Sequence, residues 1–69
     1  MTDIEIRNAV SAIDDAPSVD QMYRLVSAIH EGARRQVILS GLATSKFQAE
    51  WAIFAEYFGV PEGEWPPAP

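Results

Sequence analysis

A chain of 69 residues makes one domain, and a core that small is marginal, so tight helix packing or homodimerisation is the expected support. The absence of cysteine excludes disulfides and thiolate metal sites and fits a reducing, cytoplasmic setting, and one histidine is too few for a metal cluster, so no cofactor is expected. A net charge of −5 repels phosphate and speaks against direct DNA binding.

That charge is unevenly spread. Residues 1–20 carry Asp3, Glu5, Asp14, Asp15 and Asp20 against Arg7. Residues 21–46 are basic, with Arg24, Arg34, Arg35 and Lys46 against Glu31, and residues 47–69 add four glutamates. A basic middle between acidic ends suits intramolecular pairing or a charged partner. No apolar run reaches the roughly 18 residues of a membrane span, and the acidic start MTDIEIR is unlike a secretory signal.

The expected fold is an all-α, three-helix domain over residues 1–60, followed by an extended proline- and tryptophan-containing tail over residues 61–69. Three Ser/Thr-x-x-Glu/Gln patterns mark the helix starts: Thr2…Glu5, Ser18…Gln21 and Ser45…Gln48. In each, the hydroxyl can accept from the N3 amide while the longer side chain reaches back to the cap amide. The first helix runs from about Asp3 to Asp15 with Ile6, Ala9, Val10 and Ile13 on one stripe, and Pro17 ends it.

The second helix, the longest and most central, is expected from about Val19 to Leu39. Met22, Tyr23, Leu25, Val26, Ile29, Ala33 and Val37 fall in an arc of about 160°, wide enough to touch two neighbours. Its opposite face carries Asp20, Arg24, Glu31, Arg34 and Arg35, with Asp20–Arg24 and Glu31–Arg35 as i,i+4 pairs. Gly32 inside it marks a close crossing or a bend, and Gly41 a helix end.

The third helix is expected from about Lys46 to Phe58. Phe47, Trp51, Phe54 and Phe58 lie within about 60° of each other on its wheel and form a narrow core seam. Gly59 supplies a left-handed terminator, Val60 its hydrophobic contact and Pro61 the stop. The stretch FAEYFGVPEGEW resembles the front of a helix-turn-helix, but the three prolines after Trp65 exclude a recognition helix there.

No catalytic constellation stands out, and the chain is read as non-enzymatic. His30 has no serine, cysteine or paired carboxylate placed to make it a general base, and is expected to be structural. Ile53 and Tyr57 fall about 100° off the aromatic seam, which fits either an interface patch or packing on another element. Trp65 either folds back onto the helices or is offered to a partner.

Two stretches carry a family resemblance. SVDQMYRLV (residues 18–26) and YFGVPEGEW (residues 57–65), with AE at residues 49–50 in register, resemble the Hha/YmoA family of small helical modulators of gene expression. The resemblance implies docking on the N-terminal dimerisation domain of H-NS-type nucleoid proteins through charged contacts. Asp20 then matches an acidic family position and Arg24 a basic one, while two other acidic positions appear as Tyr23 and Ser45, and PPAP replaces the family's ending. The functional expectation is therefore a protein-binding regulator of a nucleoid-associated or other transcriptional protein, with Asp20, Tyr23, Arg24, Ile53, Tyr57 and Trp65 as contact residues. The alternative is a phage or mobile-element inhibitor that blocks a host protein, as an acidic mimic of nucleic acid.

Overall fold

A computed structural model describes residues 1–67 and shows four helices: α1 (Asp3–Asp14), α2 (Val19–Ala28), α3 (Glu31–Thr44) and α4 (Gln48–Tyr57), with a 3-10 turn at Glu62–Glu64. The chain is all-helical, but the expected three-helix architecture with one long central helix and an extended tail is wrong. What was read as one helix from Val19 to Leu39 is two, and the tail is folded down.

The break falls at Ile29 and His30, both of which leave the helical region with ψ of 138 and 137°. His30 is the N-cap of α3: its Nδ1 accepts from the Gly32 amide at 3.0 Å. Arg34, assigned from the helical wheel to a solvated face, is instead half-buried and holds the break together. Its Nη2 donates to the carbonyls of Ser27 (3.1 Å) and Ile29 (3.0 Å), at the C-terminal end of α2 where carbonyls lack helical partners. Its guanidinium also lies 4.6 Å from the centroid of the Phe58 ring. Gly32 therefore sits in the first turn of α3 and bends no helix.

α1 opens as expected, with the complete Thr2–Glu5 capping box. At α2 the Ser18 hydroxyl accepts from the Gln21 amide at 3.2 Å. The third expected box does not form. Ser45 Oγ accepts from the Phe47 amide at 2.9 Å and donates to the Asp14 carboxylate, so α4 starts two residues late behind Phe47, which makes no side-chain cap.

Gly41 ends nothing: α3 continues through it to Thr44, and its bare backbone faces the Trp51 indole. A Cβ there would lie 2.2 Å from the indole Cδ2. Gly59 does act as the terminator, with φ of 76°. The Val60 amide bonds the Ala55 carbonyl (2.8 Å) and the Gly59 amide the Glu56 carbonyl (3.2 Å), the two bonds of a Schellman cap.

α3 packs against α1 and α4, while α2 bridges α1 and α4. The core combines Val10 and Ile13, Met22 and Val26, Val37, Ile38 and Leu42, Trp51, Phe54 and Ala55, and Val60. Trp51 is fully buried, whereas Phe47, expected in the seam, is exposed at its N-cap position. After Pro61 the 3-10 turn brings Glu64 into an ion pair with Arg35, and the Trp65 Nε1 donates to the Val60 carbonyl at 3.0 Å. Arg35 thus pairs with the tail in place of the expected Glu31. Ala68 and Pro69, the last residues of the expected tail, lie outside the described residues.

Candidate functional site: an aromatic face across α2 and α4

Most large apolar side chains are inside, so the exposed ones locate the surfaces that folding leaves unused. Met1, Ile4, Val19, Phe47, Ile53 and Tyr57 are exposed; of these Val19 lies on α2 and Ile53 and Tyr57 on α4, where the half-buried Tyr23 joins them. Val19 and Tyr23 are one turn apart on α2, Ile53 and Tyr57 one turn apart on α4. The two helices meet through their tyrosines: the rings of Tyr23 and Tyr57 pack edge-to-face with centroids 5.1 Å apart. Tyr23 also stacks on Phe58 at 5.9 Å, and Tyr57 meets Phe58 edge-on at 4.9 Å.

Phe58 stacks with Tyr23 and has the Arg34 guanidinium over its ring, so the residue that closes the α2–α3 turn also contacts the aromatic face. Asp20 and Arg24 border it on α2 as the expected i,i+4 pair, 3.5 Å apart and largely solvated. An exposed pair of that kind contributes about 0.3–0.5 kcal/mol, so both charges stay available to a partner at little cost. The Tyr57 phenol is raised above the ordinary tyrosine value, first by side-chain hydrogen bonding with Tyr23, then by the like charge Tyr23 would carry, then by desolvation.

Of the six residues singled out from the sequence, Tyr23 and Tyr57 are in contact, Ile53 lies one turn before Tyr57 on α4, and Asp20 and Arg24 pair with each other on α2. Trp65 lies elsewhere, half-buried against the core cluster, with clefts on both sides. Val19 was missed, although its i,i+4 spacing to Tyr23 was a usable signal. Arg34 was also missed, because a bond to carbonyls five and seven residues back requires a chain break that the helical wheel hides.

The remaining polar cluster is structural. Asp14, at the end of α1, accepts from Ser45 Oγ at 2.7 and 2.9 Å and from the Trp51 indole Nε1 at 3.0 Å. Ser45, matched above to an acidic contact position, is buried in this cluster. A cleft of about 210 Å³ between α3 and the end of α4 is lined by Glu31, Arg34, Arg35 and Phe58. It is below the roughly 300–1,000 Å³ of small-molecule sites, whereas the clefts beside Trp65, of about 370 and 300 Å³, reach the lower end of that range. Among the described residues no three His, Cys, Asp or Glu side chains converge as metal ligands would, and no helix is long and apolar enough to cross a membrane.

No family model, curated protein or solved structure matches the chain. No match supports the resemblance to Hha/YmoA; what the structure shows is a small, compact all-helical domain.

Proposed function

We propose that this chain is a non-enzymatic regulator that acts by docking its α2–α4 face on another protein. The observation that carries the reading is the set of exposed Val19, Ile53 and Tyr57 with half-buried Tyr23, joined across two helices by the 5.1 Å Tyr23–Tyr57 contact. Protein interfaces are enriched in aromatic side chains at their centre and carry polar groups at the rim, and Asp20 and Arg24 supply such a rim. Rigid rings also lose little conformational freedom on binding. The two stretches similar to Hha/YmoA contribute Asp20, Arg24 and Tyr57, and the matching charges at Asp20 and Arg24 direct the reading toward the N-terminal dimerisation domain of an H-NS-type nucleoid protein as the partner.

Calorimetric titration of that isolated dimerisation domain with the wild-type chain and two variants tests this. Asp20→Lys should weaken binding more at low salt than at high salt, because rim charges act through screened, long-range attraction. Tyr57→Ala should weaken it at least about tenfold at either salt concentration, as loss of a central aromatic anchor does. If the wild-type chain produces no binding heat, or both variants bind as the wild type does with unchanged circular dichroism, the reading is wrong.

A further inference from the structure

We infer that Trp65 and the two clefts it lines form a second docking site, which takes an extended basic segment of a partner protein. The segment enters by one arginine or lysine side chain and one apolar side chain two residues apart. This site is separate from the Tyr23–Tyr57 contact and does not rest on the docking proposed there. Trp65 is the residue common to both clefts. One, of about 370 Å³, lies against Glu56, Val60, Pro61 and Glu62. The other, of about 300 Å³, lies against Leu42, Ala49, Ala52 and Pro66, with Gln48 as its polar side chain. The indole between them is half-buried, and its Nε1 donates to the Val60 carbonyl at 3.0 Å, which fixes the ring in place before anything binds.

Charge decides what the first cleft takes. Glu56 and Glu62 are exposed, and among the described residues neither carboxylate is in an ion pair. The neighbouring cleft, which shares Gly59 and Val60 with this one, adds Glu31, Arg34 and Arg35, and Arg35 brings Glu64; these four cancel. Lys46 and Glu50, next to the second cleft along the chain, cancel as well. Glu56 and Glu62 therefore stand as unbalanced negative charge beside an indole ring. A cation over a tryptophan face is attracted by the ring, and a guanidinium can stack there while its edge donates to carboxylates. The second cleft offers aliphatic carbons and a proline ring, which suit an apolar side chain. In an extended segment, side chains at i and i+2 point to the same side about 7 Å apart, so a basic and an apolar residue in that spacing can enter the clefts on either side of one indole.

Titration of the nitrogen-15-labelled full chain with the peptide acetyl-Gly-Arg-Gly-Leu-Gly-amide tests the inference by nuclear magnetic resonance. The Trp65 indole signal should move and that of Trp51, which is fully buried, should not. Backbone shifts should accompany it at residues 48–52 and 59–66. Affinity should fall at least about tenfold in a chain carrying both Glu56→Gln and Glu62→Gln, two exposed positions whose change leaves the circular dichroism native. It should also fall as salt is raised from about 50 to about 500 mM. With the wild-type chain, a peptide in which citrulline replaces arginine keeps the shape and loses the charge, and it should bind at least about tenfold more weakly; glycine in place of leucine should weaken binding as well. A Trp65 signal that stays still up to about 5 mM peptide overturns the inference. So does a citrulline peptide or a doubly substituted chain that binds as the original does. Shifts confined to residues 19–24, with Trp65 silent, overturn it too, because the basic segment would then be held at α2. Failure of the H-NS-type domain to bind the chain bears on the aromatic face alone, since this titration contains no such domain.

Discussion

Trp51 makes two demands on its surroundings, and residues far away in sequence meet them. Its ring face needs a backbone without a side chain, which Gly41 provides, and its indole N–H needs an acceptor, which Asp14 provides from the end of α1. Gly41→Ala should therefore cost about 1–3 kcal/mol or more through overpacking, in a domain whose total stability is on the order of 5 kcal/mol. Thermal melts followed by circular dichroism read this directly, and an unchanged midpoint would mean that the crossing of α3 and α4 is looser than described. The burial of Trp51 was legible, because Trp51 and Phe54 repeat at helical spacing. The role of Gly41 was not, since a glycine that follows an apolar run looks the same whether it ends a helix or lets another helix approach. Tyr57 supports a second prediction at this scale. The folded chain holds its phenolic proton more tightly than the unfolded chain does. The associated stability is present below the ordinary tyrosine value of about 10 and is lost as pH rises through the folded value. Tyr23→Phe removes the hydroxyl responsible for most of this, so absorbance titration should show Tyr57 ionising earlier in the variant than in the wild type.

Among the elements, the break between α2 and α3 departs furthest from sequence reasoning. Nothing local forbids a continuous helix from Val19 to Leu39: no proline interrupts it, the apolar arc continues, and Glu31 and Arg35 are correctly spaced for a helical ion pair. What decides it is a histidine acting as the cap, outside the usual Ser, Thr, Asp and Asn set, and an arginine turned back onto orphan carbonyls. The break lets α2 swing across α1 and α4, which creates the aromatic face. His30→Ala should cost about 0.5–2 kcal/mol as a lost cap, and His30→Asp should restore most of it. Arg34→Ala should cost about 1–3 kcal/mol by leaving carbonyls unpartnered, and it should also loosen the Tyr23–Phe58 stack it supports. Urea denaturation of the three variants checks the order. If Arg34→Ala is neutral, the turn is held by something else. The late start of α4 has a similar cause: Ser45 matches a capping box locally but bonds to Asp14, 31 residues away, a partner that local pattern reading cannot see.

At the scale of the whole molecule, the Arg35–Glu64 pair and the Trp65 indole bond tie the expected extended tail to the helices. The domain measures 28 × 24 × 22 Å with its aromatic third divided in two: Trp51 and Phe54 are enclosed, while Tyr57 and Ile53 remain outside beside Tyr23 and Val19. Helical class and much of the core follow from periodicity, and the offset of Ile53 and Tyr57 from the core seam, about 100° on the wheel, already set them apart. That they would meet Tyr23 could not be read, because it depends on the α2–α3 break. On the proposed reading, this face is where the protein acts on its partner. Amide chemical-shift mapping of the labelled chain during titration with the H-NS-type dimerisation domain tests it most directly. The largest shifts should cluster at residues 19–24 and 53–58 and diminish with Tyr57→Ala. Shifts concentrated on α1 or around the Arg35–Glu64 contact, with residues 19–24 and 53–58 silent, would contradict it.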